Sequence, residues 1–154
     1  MRIGFDLDGV LAKTDIPLFR VADMSLDKEK RRDVYNWKFK LSETLLNPID
    51  LILFEEDEYY IITSRDSVSR EITERWVKMY CPHCKELIML DSGLPDKNAS
   101  VEEVMAWVER MADDKAKVIN ERKIEVYFED SPTIVRKLRK LCPNTKIIQY
   151  GGRI

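Results

Sequence analysis

Apolar residues along this chain gather into two kinds of segment, and the alternation between them predicts the architecture. One kind is a compact run rich in β-branched or aromatic residues: Ile3 to Val10, Tyr59 to Ile62, Leu87 to Leu90, Ile124 to Phe128 and Lys146 to Tyr150. Short runs bounded by polar or turn-forming residues read as strands. The other kind spaces its apolar residues by helical turns. Val34, Trp37 and Leu41 do so after possible starts at Asp23 or Ser25, and Asn47-Pro48 resembles a cap followed by a first-turn proline, opening a helix through Phe54. Val68, Ile72, Trp76 and Tyr80 follow Asp66 or Ser67 as caps. Ser100 precedes Val101, Val104, Met105 and Val108, and Ser131-Pro132 precedes Val135, Leu138 and Leu141. Between Ser100 and Glu121 two readings stand. Either Asp113-Asp114 caps a second helix starting at Lys115, or Ala112, Ala116 and Ile119 carry one helix through to Glu121.

Strands alternating with helices imply right-handed crossovers and a parallel sheet. The expected fold class is therefore α/β: a Rossmann-like parallel sheet of about five strands with helices on both faces, plus a small helical cap inserted after the first strand at about 14–47. A length of 154 residues suits a single domain, 1–154, with that one insertion. Within the cap, the run Lys28-Glu29-Lys30-Arg31-Arg32 reads as a solvated helix face and Trp37 as a core anchor. Tyr35 and Phe39 lie off the apolar stripe, either packed or placed to stack on a substrate ring.

Composition narrows the class further. Hydrophobic residues make up 44% and charged residues 35% of the chain, the balance of a soluble globular protein. A net charge of -2 argues against stable nucleic-acid binding, which leans on a clear excess of Lys and Arg. No apolar run approaches the roughly 20 residues that span a bilayer, and the N-terminus enters a strand with no signal-peptide pattern. A cytoplasmic location with no membrane partner is expected. Cys81, Cys84 and Cys142 are odd in number, which fits a reducing compartment. Cys81-Pro82-His83-Cys84 invites a zinc or redox reading, but it supplies two thiol ligands where structural zinc takes four. Incidental cysteines around a turn proline are the favoured reading. His83 is the sole histidine, which disfavours a Ser-His-Asp hydrolase.

The polar groups that end the strands carry the chemistry. The first run ends in Asp6-Leu7-Asp8-Gly9. Side chains two apart on an extended backbone share a face, so Asp6 and Asp8 are expected to project together, with Gly9 permitting a sharp turn. Crowded carboxylates are relieved by a shared proton or a divalent cation; alternatively both cap turn N–H groups. The second run ends in Thr63-Ser64-Arg65-Asp66-Ser67, hydroxyls placed where a helix N-terminus welcomes an anion. The fourth ends in Glu129-Asp130. In open parallel sheets the carboxyl ends of the strands share the edge where ligands bind. The separate clusters then form one site of Asp6, Asp8, Glu129, Asp130, Thr63 and Ser64, joined by a lysine.

Together these residues resemble the haloacid dehalogenase-like (HAD) superfamily of phosphotransfer enzymes over nearly the whole chain. Phe5-Asp6-Leu7-Asp8-Gly9-Val10 is similar to its D-x-D-G signature, Ile61-Ile62-Thr63 to its strand-ending threonine, and Phe128-Glu129-Asp130-Ser131-Pro132 to its acidic pair. The short cap, Thr63-Ser64-Arg65 and Glu129-Asp130-Ser131-Pro132 look similar to the 5'(3')-deoxyribonucleotidase-like branch. The resemblance implies a Mg²⁺-dependent phosphatase hydrolysing a small phosphomonoester, such as a (deoxy)nucleoside 5'-monophosphate, through an aspartyl phosphate. Alternatives are a polynucleotide 3'-phosphatase or sugar phosphatase of the same fold, and a non-catalytic metal- or phosphate-binding regulatory protein.

It implies roles as well. Asp6 would be the nucleophile and Asp8 the acid and base. Mg²⁺ would be held by Asp6, the Asp8 main-chain carbonyl and Asp130, with Glu129 directly or through water. Thr63, Ser64 and Arg65 would bind the substrate, along with a lysine. Lys115 best matches the family's spacing to Glu129, with Lys117 and Lys97 as alternatives, and one unbroken helix from Ser100 to Glu121 would favour Lys97.

Overall fold

The computed structural model describes residues 1–12, 55–65, 67–93, 95–96 and 98–150. The expected cap at about 14–47, the helix opening at Asn47-Pro48 and the cap candidate Asp66 lie outside the described residues.

Five strands, β1 (Arg2–Phe5), β2 (Glu58–Thr63), β3 (Glu86–Met89), β4 (Val126–Glu129) and β5 (Lys146–Gln149), form one sheet in the order β3-β2-β1-β4-β5. Every neighbouring pair is parallel. Period-two alternation divides the strand side chains between two cores. On one face Phe5, Tyr59 and Ile61 pack with Trp76 and Val77 of helix α1 (Arg70–Tyr80). On the other, Tyr60, Ile62, Tyr127 and Ile147 pack with Ala112, Ala116 and Ile119 of α2 (Val101–Glu121), and with Ile134, Val135 and Leu138 of α3 (Pro132–Leu141). The expected α/β sheet with helices on both faces is what these residues build.

Helix starts follow capping chemistry at two of the three positions. Ser100 and Glu103 form a reciprocal capping box: Ser100 Oγ accepts from the Glu103 N–H at 3.2 Å while a Glu103 carboxylate oxygen accepts from the Ser100 N–H at 2.6 Å. Ser131 accepts from the Ile134 N–H, with Pro132 at the first helical position. The start of α1 departs from expectation, because Ser67 opens a 3₁₀ turn over Ser67–Ser69 rather than capping the helix with its side chain. Its N–H donates instead to Asp91 Oδ1 at 3.2 Å.

One further expectation is corrected, and one choice left open by the sequence is decided. The first apolar run is not a strand as far as Val10: β1 stops at Phe5, and the chain folds back through bonds from the Leu11 and Ala12 N–H groups to the Leu7 carbonyl. Leu7, Val10, Leu11 and Ala12 are apolar because this turn is fully buried, a state that periodicity does not separate from a strand. The second concerns α2, which is one unbroken helix, with Asp113 and Asp114 inside it.

Glycine 4 sets the spacing beneath the functional edge. A Cβ there would stand 2.6 Å from Tyr127 Cδ2, so only glycine lets that ring lie against β1. The Tyr127 hydroxyl, fully buried, donates to the Ile62 carbonyl at 3.1 Å. Gly4→Ala should therefore cost about 1–3 kcal/mol by overpacking, read as a lowered midpoint in urea unfolding followed by circular dichroism.

Candidate active site

Strand order 3-2-1-4-5 reverses direction between β1 and β4, and that switch point is where open parallel sheets leave a crevice beyond their carboxyl ends. Asp6 follows the end of β1, Glu129 ends β4 and Asp130 comes next. The Asp6 N–H donates to the Phe128 carbonyl at 2.9 Å, so the two tips are stitched together. Gly9, at φ +81°, completes the approach. A Cβ on it would fall 2.2 Å from Asp130 Oδ2, so any side chain here would drive Asp130 away from the β1 turn.

Asp6, Glu129 and Asp130 each present an oxygen within 4.8 Å of the others, and all three side chains are buried. Lys115 enters from the middle of α2, 4% exposed, with Nζ 3.0 Å from Asp6 Oδ1 and 2.6 Å from Glu129 Oε2. The unbroken helix does not favour Lys97 after all, because a lysine side chain is long enough to reach the strand tips from mid-helix. Lys117 is exposed, and Lys97 lies outside the described residues. Asp114, one residue earlier, accepts from the buried Ser92 hydroxyl at 3.1 Å and ties α2 to the loop after β3.

Lys115 pairs with two of these three carboxylates, Asp6 and Glu129. Burial pushes the Asp6 carboxyl up to about 7, with Glu129 adding repulsion and Lys115 opposing it. Burial likewise raises Glu129, against the pull of Lys115. For Lys115, burial draws the pKa down, but Asp6 and Glu129 overcome it and hold the ammonium well above its ordinary value. Three buried carboxylates this close repel one another at a cost that burial makes large, and a divalent cation would relieve it. An all-oxygen donor set suits Mg²⁺. Glu129 also accepts from the Ser131 N–H through Oε1 at 3.2 Å, so each of its oxygens already has one partner.

Asp8 stands apart from this cluster. Its charge adds to the upward shift of Asp6, but its carboxylate is gripped by Arg65: Nε to Oδ2 at 2.8 Å and Nη2 to Oδ1 at 2.7 Å. Nη1 of Arg65 donates to Thr73 Oγ1 at 3.1 Å. The guanidinium expected to bind substrate is thus buried and committed to protein groups. Nothing in the sequence signalled Thr73 or Tyr127, whose ring centroid lies 5.9 Å from Lys115 Nζ.

At the end of β2, Thr63 is buried and its Oγ1 accepts from the Arg65 N–H at 3.3 Å. The neighbouring Ser64 hydroxyl is buried with no hydrogen-bond partner. An unmet buried hydroxyl costs about 1–3 kcal/mol, which marks this strand tip as a place that gains by receiving a polar ligand. The three cysteines are divided between the two faces of the sheet. Cys81 packs in the core under α1 and Cys142 in the core on the opposite face. Burial pushes the Cys81 thiol up to about 12 and that of Cys84 to about 11, so neither is a thiolate at neutral pH.

No family model matches the chain, and no curated protein matches it in sequence. Solved structures do. A HAD-superfamily hydrolase of subfamily IA from Geobacter sulfurreducens aligns over 99% of this chain and 90% of its own, with a TM-score of 0.58 at 11% identity. A HAD-family enzyme from Bacteroides thetaiotaomicron, in complex with magnesium and inorganic phosphate, aligns over 99% and 96%, with a TM-score of 0.54 at 12% identity. The Pnkp1/Rnl/Hen1 RNA repair complex contains a chain of which 43% aligns with 99% of this one, with a TM-score of 0.52 at 18% identity. The chain therefore has the fold of HAD-superfamily hydrolases. Among the described residues no helix is long and apolar enough to cross a membrane.

Removing the cation of a buried pair leaves uncompensated charge, so Lys115→Met should lower stability by about 3–5 kcal/mol. Lys117→Met, two residues on and exposed, should stay within about 0.5 kcal/mol. Urea unfolding of both variants at neutral pH checks the contrast.

Proposed function

We propose that this chain is a Mg²⁺-dependent phosphatase that hydrolyses a small phosphomonoester through an aspartyl phosphate on Asp6. The observation that carries this reading is the buried trio Asp6, Glu129 and Asp130, with Lys115 paired to the first two, on the sheet edge where β2 also ends. Asp6, Asp130 and the Asp8 main-chain carbonyl would hold the ion, with Glu129 directly or through water. Bound there, Mg²⁺ supplies positive charge that lets an anionic carboxylate approach an anionic phosphate ester.

The chain's own groups account for the rest. An Asp6 carboxylate oxygen attacks phosphorus while the ester P–O bond breaks, and the leaving oxygen takes a proton from Asp8. Asp8 then receives a proton from water as that water's oxygen bonds to phosphorus, and the electron pair of the P–O bond to Asp6 returns to the carboxylate. Thr63 and the Ser64 N–H hold phosphoryl oxygens, and Lys115 offsets charge on the phosphoryl group and on Asp6 together.

A nucleoside 5'-monophosphate is the substrate class we favour, on the likeness of Thr63-Ser64-Arg65 and Glu129-Asp130-Ser131-Pro132 to the deoxyribonucleotidase-like branch. A second reading moves the same chemistry to a polynucleotide 3'-phosphate, which the likeness to a chain of an RNA repair complex favours. Relative rates on mononucleotides and on 3'-phosphorylated oligonucleotides separate the two.

With an aryl phosphate and Mg²⁺ the chain should release phenol, and chelating the metal should stop it. Asp6→Asn should lower kcat by on the order of 10³-fold or more, as expected when a nucleophile is lost. Unchanged turnover in Asp6→Asn would remove the mechanism, and trapping of a beryllofluoride adduct on Asp6 would support it even if the preferred ester is not in the panel.

A further inference from the structure

Arg65 is buried beside a reaction centre, yet its guanidinium faces a protein carboxylate with every nitrogen accounted for. We propose that Arg65 is a positioning residue that holds Asp8 in the orientation from which it protonates the leaving oxygen, and that Thr73 is the peg that orients Arg65. The inference rests on the phosphatase reading and deepens it.

The geometry separates a held carboxylate from its holder. Asp8 is 37% exposed at its side chain, whereas the Arg65 side chain is 4% exposed. A partly exposed aspartate left to itself samples several rotamers. Here both of its oxygens meet one planar fork, at 2.7 and 2.8 Å, which fixes the plane of the carboxylate as well as its position. The fork needs its own anchor. Thr73, fully buried, donates its hydroxyl proton to the Ser69 carbonyl at 2.7 Å, which turns an oxygen lone pair toward Arg65 Nη1 at 3.1 Å. The Arg65 N–H donates to Thr63 Oγ1, so the same residue is tied to the tip of β2. A chain of directed bonds thus runs from the turn before α1 to Asp8.

This arrangement fits a proton donor better than a substrate clamp. The Arg65 fork is spent on Asp8 and Thr73, protein groups both, so it orients a carboxylate rather than gripping a phosphate. When the ester P–O bond breaks, its electron pair goes to the leaving oxygen and the Asp8 proton follows. The carboxylate so formed already faces a guanidinium. Arg65 therefore acts through Asp8 and only on the step that needs a proton at the leaving group.

That restriction gives the test. Two esters are compared by kcat/KM, which covers events up to departure of the leaving group: a nitrophenyl phosphate, whose leaving oxygen needs little protonation, and an alkyl phosphate, whose leaving oxygen needs it fully. In Arg65→Lys, which keeps the charge and loses the fork, kcat/KM for the alkyl ester should fall about 100-fold, within the range that a positioned general acid contributes. The aryl ester should fall only about threefold. Thr73→Val, isosteric and buried, should show the same selectivity at about a tenth of the size.

A parallel fall for both esters in both variants overturns the proposal, because loss of substrate binding or of folding weakens both alike. No change in either ester overturns it too. If the unmodified chain hydrolyses neither ester with Mg²⁺, the phosphatase reading fails and this inference falls with it. Activity of the unmodified chain with an unaltered ester ratio in the variants sinks the inference alone.

Discussion

The ion pair of Lys115 with Asp6 and Glu129 is the constraint on which the functional edge depends. Three carboxylates brought together out of water repel one another and lose hydration, at a cost of several kcal/mol per ion. The Lys115 ammonium, itself buried, makes the pairing of Asp6 with Glu129 tolerable. Such a site is worth little to stability, since well-packed apolar side chains would hold two strand tips together more cheaply. The arrangement suits the proposed phosphatase, in which the acidic trio would hold a cation and the tip of β2, where the Ser64 hydroxyl has no partner, would meet an anion.

Several backbone details exist to let that cluster close. Gly9 removes the Cβ that would collide with Asp130, and Gly4 removes the one that would collide with Tyr127. The Tyr127 ring in turn fills the space beneath Lys115, and its hydroxyl reaches the β2 carbonyl of Ile62. The strand order then does the long-range work. With β1 central and β4 beside it, residues more than a hundred positions apart end on one edge, and the Asp6 N–H bond to Phe128 registers the two tips to within a hydrogen bond.

Much of this was legible in the linear pattern. Each strand announced itself as a short apolar run, and the capping box at Ser100 and the Ser131-Pro132 start are local chemistry that needs no tertiary context. Asp6, Thr63, Glu129 and Asp130 stood out because polar residues end runs that are otherwise buried. What failed to show was whatever depends on partners distant in sequence. The run from Leu7 to Ala12 is apolar because a turn is buried, and burial alone does not distinguish a turn from a strand. Lys115 looked stronger at a helix start than inside a helix, yet reach rather than capping decides its place. Arg65 was expected to bind substrate from the resemblance alone; Asp8, 57 residues earlier, meets it only once the sheet forms.

Two aspartates two positions apart have different surroundings, and the difference suits the two tasks proposed for them. Asp6 is enclosed, opposed by an ammonium that is a point charge, and lies next to further carboxylates. A nucleophile benefits from that setting, because an oxygen stripped of water is reactive once its repulsion from the substrate is cancelled. Asp8 is open to the solvent side and held by a flat two-pronged cation. An acid that must lend and recover a proton benefits from fixed orientation with access to water. Exchanging the two cations would serve neither group: a fork on Asp6 would occupy the oxygen that attacks, and a lysine on Asp8 would leave its plane free to rotate. The D-x-D spacing supplies two identical side chains, and the helices on opposite faces of the sheet, α2 with Lys115 and α1 with Thr73 behind Arg65, make them chemically distinct.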